Sequence, residues 1–224
     1  MKTKIAVLTI AVVAAAGLLS LPGSSALAGD EVTAATSALS AAIAGGEEHE
    51  FVGSKKCKMC HSKQYKSWEE TTHAKAFEIL KPGERSEAKA KFKLDAAKDY
   101  TTDESCLSCH TLAVGKKGGY AVPDAADEKA VKKMAKLANV GCESCHGPGK
   151  DYCKAKKAIK KEKRKYKFEE MAALGMTKIE EGTCAGCHND KSVTYDDSKV
   201  LKFEEMLKND KAIHVHVPLE LRED

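Results

Sequence analysis

The chain has 224 residues, 37 Lys and Arg against 33 Asp and Glu, and a formal net charge of +4 at pH 7. This near-balance excludes a polybasic nucleic-acid binder and an acidic tail protein. Aromatic residues make up only 5% and the cysteines number nine, so neither an ordinary large apolar core nor a fully paired disulfide framework accounts for the fold.

Lys2 and Lys4 precede an apolar run from Ile5 to about Leu21, which ends in the small-residue exit Ala26-Leu27-Ala28. A short basic region, a short apolar stretch and an A-x-A exit form the layout of a secretory signal peptide. Residues 1–28 are expected to be removed after Ala28, leaving 196 residues with a formal charge of +2. A run this short is at the lower limit for a membrane span, and no later run approaches one, so the mature protein is expected in the periplasm without a stable span. Residues 29–50 read as a flexible, polar lead-in in which His49 is solvated, and residues 51–224 read as the organised domain.

Within that domain Ser62 is placed to cap a helix running to about Leu80, stopped by Lys81-Pro82-Gly83. Residues 84–98 read as a second, charged helix, and Asp127 to Ala138 as a short amphipathic one. Residues 150–170 read as a very basic helix and 202–211 as a last one, with long loops at 111–126 and 189–199. No segment alternates apolar and polar residues for long, so strands should be few and the class mainly α.

Four copies of C-x-x-C-H punctuate these elements: Cys57 to His61, Cys106 to His110, Cys142 to His146 and Cys184 to His188. The motif reads as covalent attachment of c-type haem. Two thiols three positions apart can bond one edge of a porphyrin, and the turn between them delivers the next imidazole to the iron. Zinc ribbons use paired C-x-x-C units but do not require His after every second Cys. The eight motif cysteines (Cys57, Cys60, Cys106, Cys109, Cys142, Cys145, Cys184, Cys187) are therefore candidates to hold four covalent haems, with His61, His110, His146 and His188 as proximal ligands. The proximal histidines are separated by 49, 36 and 42 positions, which is not a tandem repeat. A single compact tetrahaem domain follows, with haem surface replacing much of the side-chain core. The haem propionates would make such a holoprotein acidic.

Four histidines remain for the distal sides: His49, His73, His214 and His216. His73 lies near Trp68 and Phe77 at helical spacing, and His214 is preferred over its neighbour His216. At least one iron lacks an obvious imidazole. Met134, Met171, Met176 or Met206 could serve it, or the site stays five-coordinate. Cys153 stands among Lys150, Lys154, Lys156 and Lys157, which would lower its thiol pKa, and it reads as a spectator, a distal thiolate or an intermolecular disulfide partner. The ten basic residues between Lys150 and Lys167 form either a docking patch for an acidic redox partner or a solvated helix face.

The assembled residues resemble the tetrahaem cytochrome c554 family, known from ammonia-oxidising bacteria. The resemblance is carried by the stretch from Trp68 to Ala76, by Leu80-Lys81-Pro82, by Lys93-Leu94-Asp95, by Ala97 to Thr101, and by Lys117 to Tyr120. Val140-Gly141-Cys142-Glu143-Ser144-Cys145-His146-Gly147-Pro148-Gly149 is the most specific stretch, followed by Lys202 to Met206 and Lys211 to His216. It implies a mostly α-helical protein with haems in closely stacked pairs, three of them bis-histidine. It also implies a five-coordinate haem on His110 and places His73 and His214 at distal-ligand positions. Two family histidines have no counterpart here, one shortly after the Gly-Pro-Gly and one just before the fourth motif, near Ile179. That leaves His216 or a non-histidine group as substitute.

The resemblance also implies electron transfer from hydroxylamine oxidoreductase towards the quinone pool or a cytochrome. An electron carrier with donor and acceptor redox proteins as partners, monomeric or loosely oligomeric, ranks ahead of two alternatives. These are a reductase of nitric oxide or a related nitrogen species at an open haem, and a wiring subunit of a larger assembly.

Overall fold

In the computed structural model the described residues are 48–196 and 201–223, so the expected signal peptide and most of the lead-in lie outside them. Residues Glu48 to Asp224 form one compact unit. Among the described residues nine short α-helices carry the fold: α1 (Ser62–Glu69), α2 (Ser86–Lys91), α3 (Glu104–His110), α4 (Glu128–Met134), α5 (Cys142–His146), α6 (Lys150–Glu162), α7 (Phe168–Ala172), α8 (Glu181–Ala185) and α9 (Phe203–Leu207). Two strands of two residues each, β1 (Tyr166–Lys167) and β2 (Arg222–Glu223), pair in parallel with Tyr166 opposite Arg222.

The helices are shorter than the sequence pattern suggests, and the reasons are local. The helix expected from Ser62 to Leu80 stops at Glu69. There the Thr71 hydroxyl donates to the Trp68 carbonyl at 2.8 Å and accepts the Ala74 amide at 3.3 Å, competing with the helical ladder. Two 3-10 turns, His73–Lys75 and Glu78–Leu80, continue the path. Ser62 is the first helical residue rather than the cap, a position taken by His61. The 84–98 helix is reduced to α2, and the basic 150–170 helix ends at Lys163, whose φ of 54° is left-handed. Two starts are cleanly capped. Asp103 accepts the Ser105 amide at 3.1 Å, and Asp127 accepts the amides of Lys129 and Ala130 at 2.9 and 3.0 Å.

The side-chain core is small. Twelve apolar residues are buried among the described ones, and most fall into two clusters. Leu80, Tyr100, Leu107, Leu112, Tyr120 and Leu137 form the first, and Tyr152, Ile159, Tyr166 and Met171 the second. The second lies under α6, where Tyr152 and Ile159 share a face seven residues apart, and Leu221 of the C-terminal segment packs against it. Contacts of the unit take in His49 and Glu50, before the expected start at Phe51. Phe51 donates to the Lys117 carbonyl at 3.0 Å, and Lys150 pairs with Glu50 at 2.5 Å.

Candidate functional site

All four C-x-x-C-H motifs sit on single helical turns. In motifs one and four the His amide bonds the carbonyl of the first cysteine at 2.9 Å, for His61 to Cys57 and for His188 to Cys184. Motif two forms the end of α3, and motif three is the whole of α5. All nine cysteines are free thiols, so none of the pairs is closed by a disulfide.

The motifs lie close to one another. Cys57 stands beside Cys142, a first couple of motifs one and three, and the neighbouring thiol holds Cys142 down at about 7 while pushing Cys57 well up. Motifs two and four approach through Cys187 and Cys109, and motif three reaches motif four through Cys145. Burial, reinforced by Cys109, pushes the Cys187 thiol up to about 12. The first couple is locked by close backbone approach at Gly141. The Ser54 hydroxyl receives the Cys142 amide at 3.1 Å, and a Cβ on Gly141 would lie 2.2 Å from that same oxygen.

Glu143, inside motif three, is buried with 3% of its surface exposed. It accepts the amides of Val52 at 3.0 Å, Gly53 at 2.6 Å and Gly149 at 2.6 Å. One carboxylate thus ties Val52 and Gly53 to α5 and to Gly149 just beyond it. Burial pushes its pKa up, and the three amides pull it down.

Three of the four motif histidines face another ring. His188 faces His73 with centroids 6.1 Å apart, His146 faces His214 at 6.2 Å, and His61 faces Tyr152 at 6.3 Å. Each metal–imidazole bond is about 2.0–2.1 Å, so two rings on opposite sides of one ion need roughly this spacing. The free nitrogens are also set correctly. The Nδ1–H groups donate to backbone carbonyls: His73 to Ala212 at 3.1 Å, His110 to Ala76 at 2.6 Å and His214 to Val215 at 2.9 Å. A carbonyl can only accept, so Nε2 keeps its lone pair, the arrangement found for metal-bound histidines. Burial holds His146 down at about 4, with His214 and His61 adding to the effect, and lowers His73 and His61 as well. Neutral imidazole is the ligating form. The two imidazole pairs therefore fit haem irons at His188 and His146, while His61 and His110 offer the motif imidazole alone.

His110 differs from the other three. No ring stands opposite it among the described residues. A cleft of about 240 Å³ is lined by Phe77, Tyr120, Val131, Met134 and Ala138, and not by His110 itself. Asn139 donates its amide to the His110 carbonyl at 3.0 Å, and its side-chain oxygen accepts the Phe77 amide at 2.7 Å, fixing this wall.

The remaining candidates fall elsewhere. His216 is exposed, pairs with Asp210 at 3.2 Å and packs beside His214, so it faces no motif histidine. His49 is not a solvated residue. Its Nδ1 contacts Asp151 at 2.9 Å, and its ring lies against Gly175. Met171 and Met176 are packed in the second cluster, and the Met134 sulfur accepts the Ala121 amide at 3.3 Å. Cys153 is partly buried, and its thiol is raised, first by burial and then by Glu143 and Cys60, with Lys157 and Lys56 opposing. The expected lysine-driven depression is therefore overturned by burial. Tyr152 escaped the sequence reading. The available signal was a phenol three residues beyond Gly149, on a helix starting directly after motif three.

A profile of the "Cytochrome c554 and c-prime" family matches residues 56–147. Cytochrome c-554 of Nitrosomonas europaea is 41% identical over 189 residues, covering 76% of this chain and 77% of that protein. The solved structure of reduced cytochrome c554 from Nitrosomonas europaea aligns with a TM-score of 0.65 at 39% identity, over 79% of this chain and 91% of that one. With its four haem-binding turns and its mainly helical fold, this chain belongs to the cytochrome c554 family and is an electron-transfer c-type cytochrome carrying four covalently attached haems.

Proposed function

We propose that the protein is exported, cleaved after Ala28, and works in the periplasm as a carrier between a hydroxylamine-oxidoreductase-like donor and the quinone pool or an acceptor cytochrome. In this reading Cys57, Cys60, Cys106, Cys109, Cys142, Cys145, Cys184 and Cys187 hold the haems. His61, His110, His146 and His188 are the proximal ligands, and His73 and His214 complete the irons of His188 and His146. Bound haem supplies a one-electron iron couple whose potential follows axial ligand, burial and nearby charge. The chain fixes the ligand rings through backbone carbonyls, keeps the imidazoles neutral by burial, and sets the attachment turns against one another.

The observation that supports this best is the placement of four C-x-x-C-H turns close together in one small unit, with the motif histidines His188 and His146 each facing a second imidazole, His73 and His214, at 6.1 and 6.2 Å. A relay needs cofactors in close succession, whereas an isolated catalytic haem does not. No helix among the described residues is long and apolar enough to cross a membrane, in keeping with a carrier that meets its partners by diffusion. Stopped-flow mixing of the oxidised holoprotein with a reduced hydroxylamine-oxidoreductase-type donor tests it. Rapid reduction of several haems, slowed by salt, is expected. Failure of any multihaem donor to reduce it faster than a small-molecule reductant would sink the reading.

A second reading, reduction of nitric oxide or a related small nitrogen species, is favoured by the absence of a ring facing His110 among the described residues. Sustained consumption of nitric oxide by the reduced holoprotein would establish it. Stoichiometric binding without turnover would return His110 to the carrier role.

A further inference from the structure

We propose that the lysine-rimmed face around Met59, where motif one meets α6, is the port at which an acidic redox protein docks on this chain. The proposal rests on the carrier reading above and names the partner's chemistry and its point of contact.

The distribution of charge carries it. Between Phe51 and Trp68, around motif one, the chain has five lysines and no acid. From Asp95 to His110, around motif two, four acids stand against Lys98 alone. From Lys178 to Lys191, around motif four, three acids stand against two lysines, and from Ala138 to Gly149, around motif three, there is no Lys or Arg. Folding adds to the excess at motif one. Lys56, Met59 and Cys60 line one cleft with Lys156 and Lys157 of α6. Lys154 and Lys161, three before and four after Lys157, continue its stripe along the helix. Lysines elsewhere have carboxylates to meet them: Lys132 has Glu128 at 3.1 Å, Lys202 has Glu205 at 3.0 Å and Lys98 has Asp103 at 3.5 Å. Among the described residues no carboxylate is within ion-pair distance of Lys56, Lys154, Lys157 or Lys161. A helix face made only for solvation gains from alternating signs, whereas like charges four apart, as at Lys157 and Lys161, oppose the helix. A surface of opposite sign relieves them.

The centre of the face suits a partner that exchanges electrons. Cys60 is exposed, whereas the other eight cysteines are partly buried, so the attachment edge of motif one comes nearest the surface. Met59, between the two attachment cysteines, is 57% exposed. An exposed methionine inside a charged rim is the composition of a protein–protein contact, in which the rim steers the encounter and the apolar centre excludes water. One electron crosses such a contact with no bond made or broken, one centre being reduced as the other is oxidised. The partner accordingly presents Asp and Glu around an apolar centre. The acids around motif two turn the same partner away from that end of the chain.

The test uses the holoprotein with carbon-13 methyl-labelled methionine and hexacyanochromate(III), a paramagnetic trianion that exchanges no electrons, as the nuclear magnetic resonance probe. Only five methionines lie beyond residue 28, and the Met59 methyl signal is assigned by its loss in Met59→Leu. Selective broadening of that signal is expected. It should weaken on the order of tenfold when Lys56→Glu, Lys154→Glu and Lys157→Glu are combined, and stay unchanged in Lys129→Glu. Poly-glutamate should displace the probe and bind, by isothermal titration, with an affinity that falls as salt rises. Equal broadening of all five methyls, as when haem propionates neutralise the lysines, would overturn the proposal. So would tighter binding to phosphatidylglycerol vesicles than to poly-glutamate at physiological ionic strength, which would assign the face to a membrane. If the triple variant fails to accumulate, Met59 broadening that survives saturating poly-glutamate overturns it equally. The carrier reading fails separately: probe and poly-glutamate would then bind at Met59 while no donor protein reduces the haems.

Discussion

The Nδ1–H of His73 donates to the carbonyl of Ala212 across 139 positions of sequence. The ring facing His188 is thereby held by the segment that, two residues later, brings His214 to His146. The Val215 amide donates to Ser67 at 3.0 Å and fastens the same segment to α1. The rings that face His188 and His146 are thus mechanically joined. His73→Ala and His214→Ala should each replace one low-spin ferric signal by a high-spin one that binds cyanide, read by electron paramagnetic resonance. Ser67→Ala, which touches neither ring, should broaden both low-spin signals together. Independent behaviour of the two signals in Ser67→Ala would break the link.

Much of this was legible beforehand. Four C-x-x-C-H turns carry their meaning in strict spacing, so cysteines and proximal histidines needed no tertiary information. The pairing of rings did need it. Nothing in the sequence couples His73 to His188 rather than to His110, since that choice depends on the route of the chain between residues 76 and 140. The helix after Ser62 was overextended because Thr71 diverts the backbone through its hydroxyl, an effect that apolar periodicity does not register.

Glu143 is the strongest single polar tie in the fold. Its carboxylate satisfies three backbone amides from two distant segments, and losing it leaves those donors buried and unpaired. Glu143→Ala should destabilise the holoprotein by about 1–3 kcal/mol, read by denaturant titration. Glu143→Gln keeps one acceptor oxygen and should lose less. Equal losses for the two would show that packing, not amide acceptance, is what Glu143 provides.

Gly147 directly follows His146, with a left-handed φ of 80°, and a Cβ there would meet the Gly175 carbonyl at 2.3 Å. Gly147→Ala should therefore cost more than about 1 kcal/mol. The neighbouring hydrogen bond from the Thr177 amide to the His146 carbonyl, 2.9 Å, must shift with it. A displaced low-spin signal from the His146 haem is the expected spectroscopic sign. An unperturbed signal with full stability would mean that the loop relaxes freely.

Acid should unfold the protein from its caps. The Ser105 hydroxyl, then its amide, holds Asp103 below the ordinary aspartate range at the start of the helix bearing motif two. A carboxylate depressed by folding lends stability that is present above its unfolded value of about 3.9 and is lost as pH falls through the lower folded value. Asp103→Asn should flatten the acid limb of a thermal-melt series by lowering the melting temperature at neutral pH while leaving it nearly unchanged in strong acid. An acid limb as steep as the parent's would assign it to other carboxylates.

The exposed lysines of α6, among them Lys154, Lys157, Lys160 and Lys161, form a cationic face beside the His61 cleft. Reversing three of them to Glu should slow reduction by an acidic donor on the order of tenfold at low ionic strength. At high salt, parent and variant should converge. A salt-independent difference would point to damage within α6 instead of lost steering.

Ala212, His214, Leu221 and β2 all belong to the last thirteen residues. That tail latches the His73 ring, faces His146, packs under α6 and pairs with β1. One segment thus supports two ring pairs at once. Haems can be attached as each C-x-x-C-H turn emerges, but the ring that faces His146 and the carbonyl that orients His73 both arrive with residues 212–214, after the fourth motif. A chain cut between the fourth motif and Ala212 is expected to keep its attachment cysteines, lose the His214 ring and release the His73 ring. Residues 212–221 therefore separate a loaded chain from a finished one.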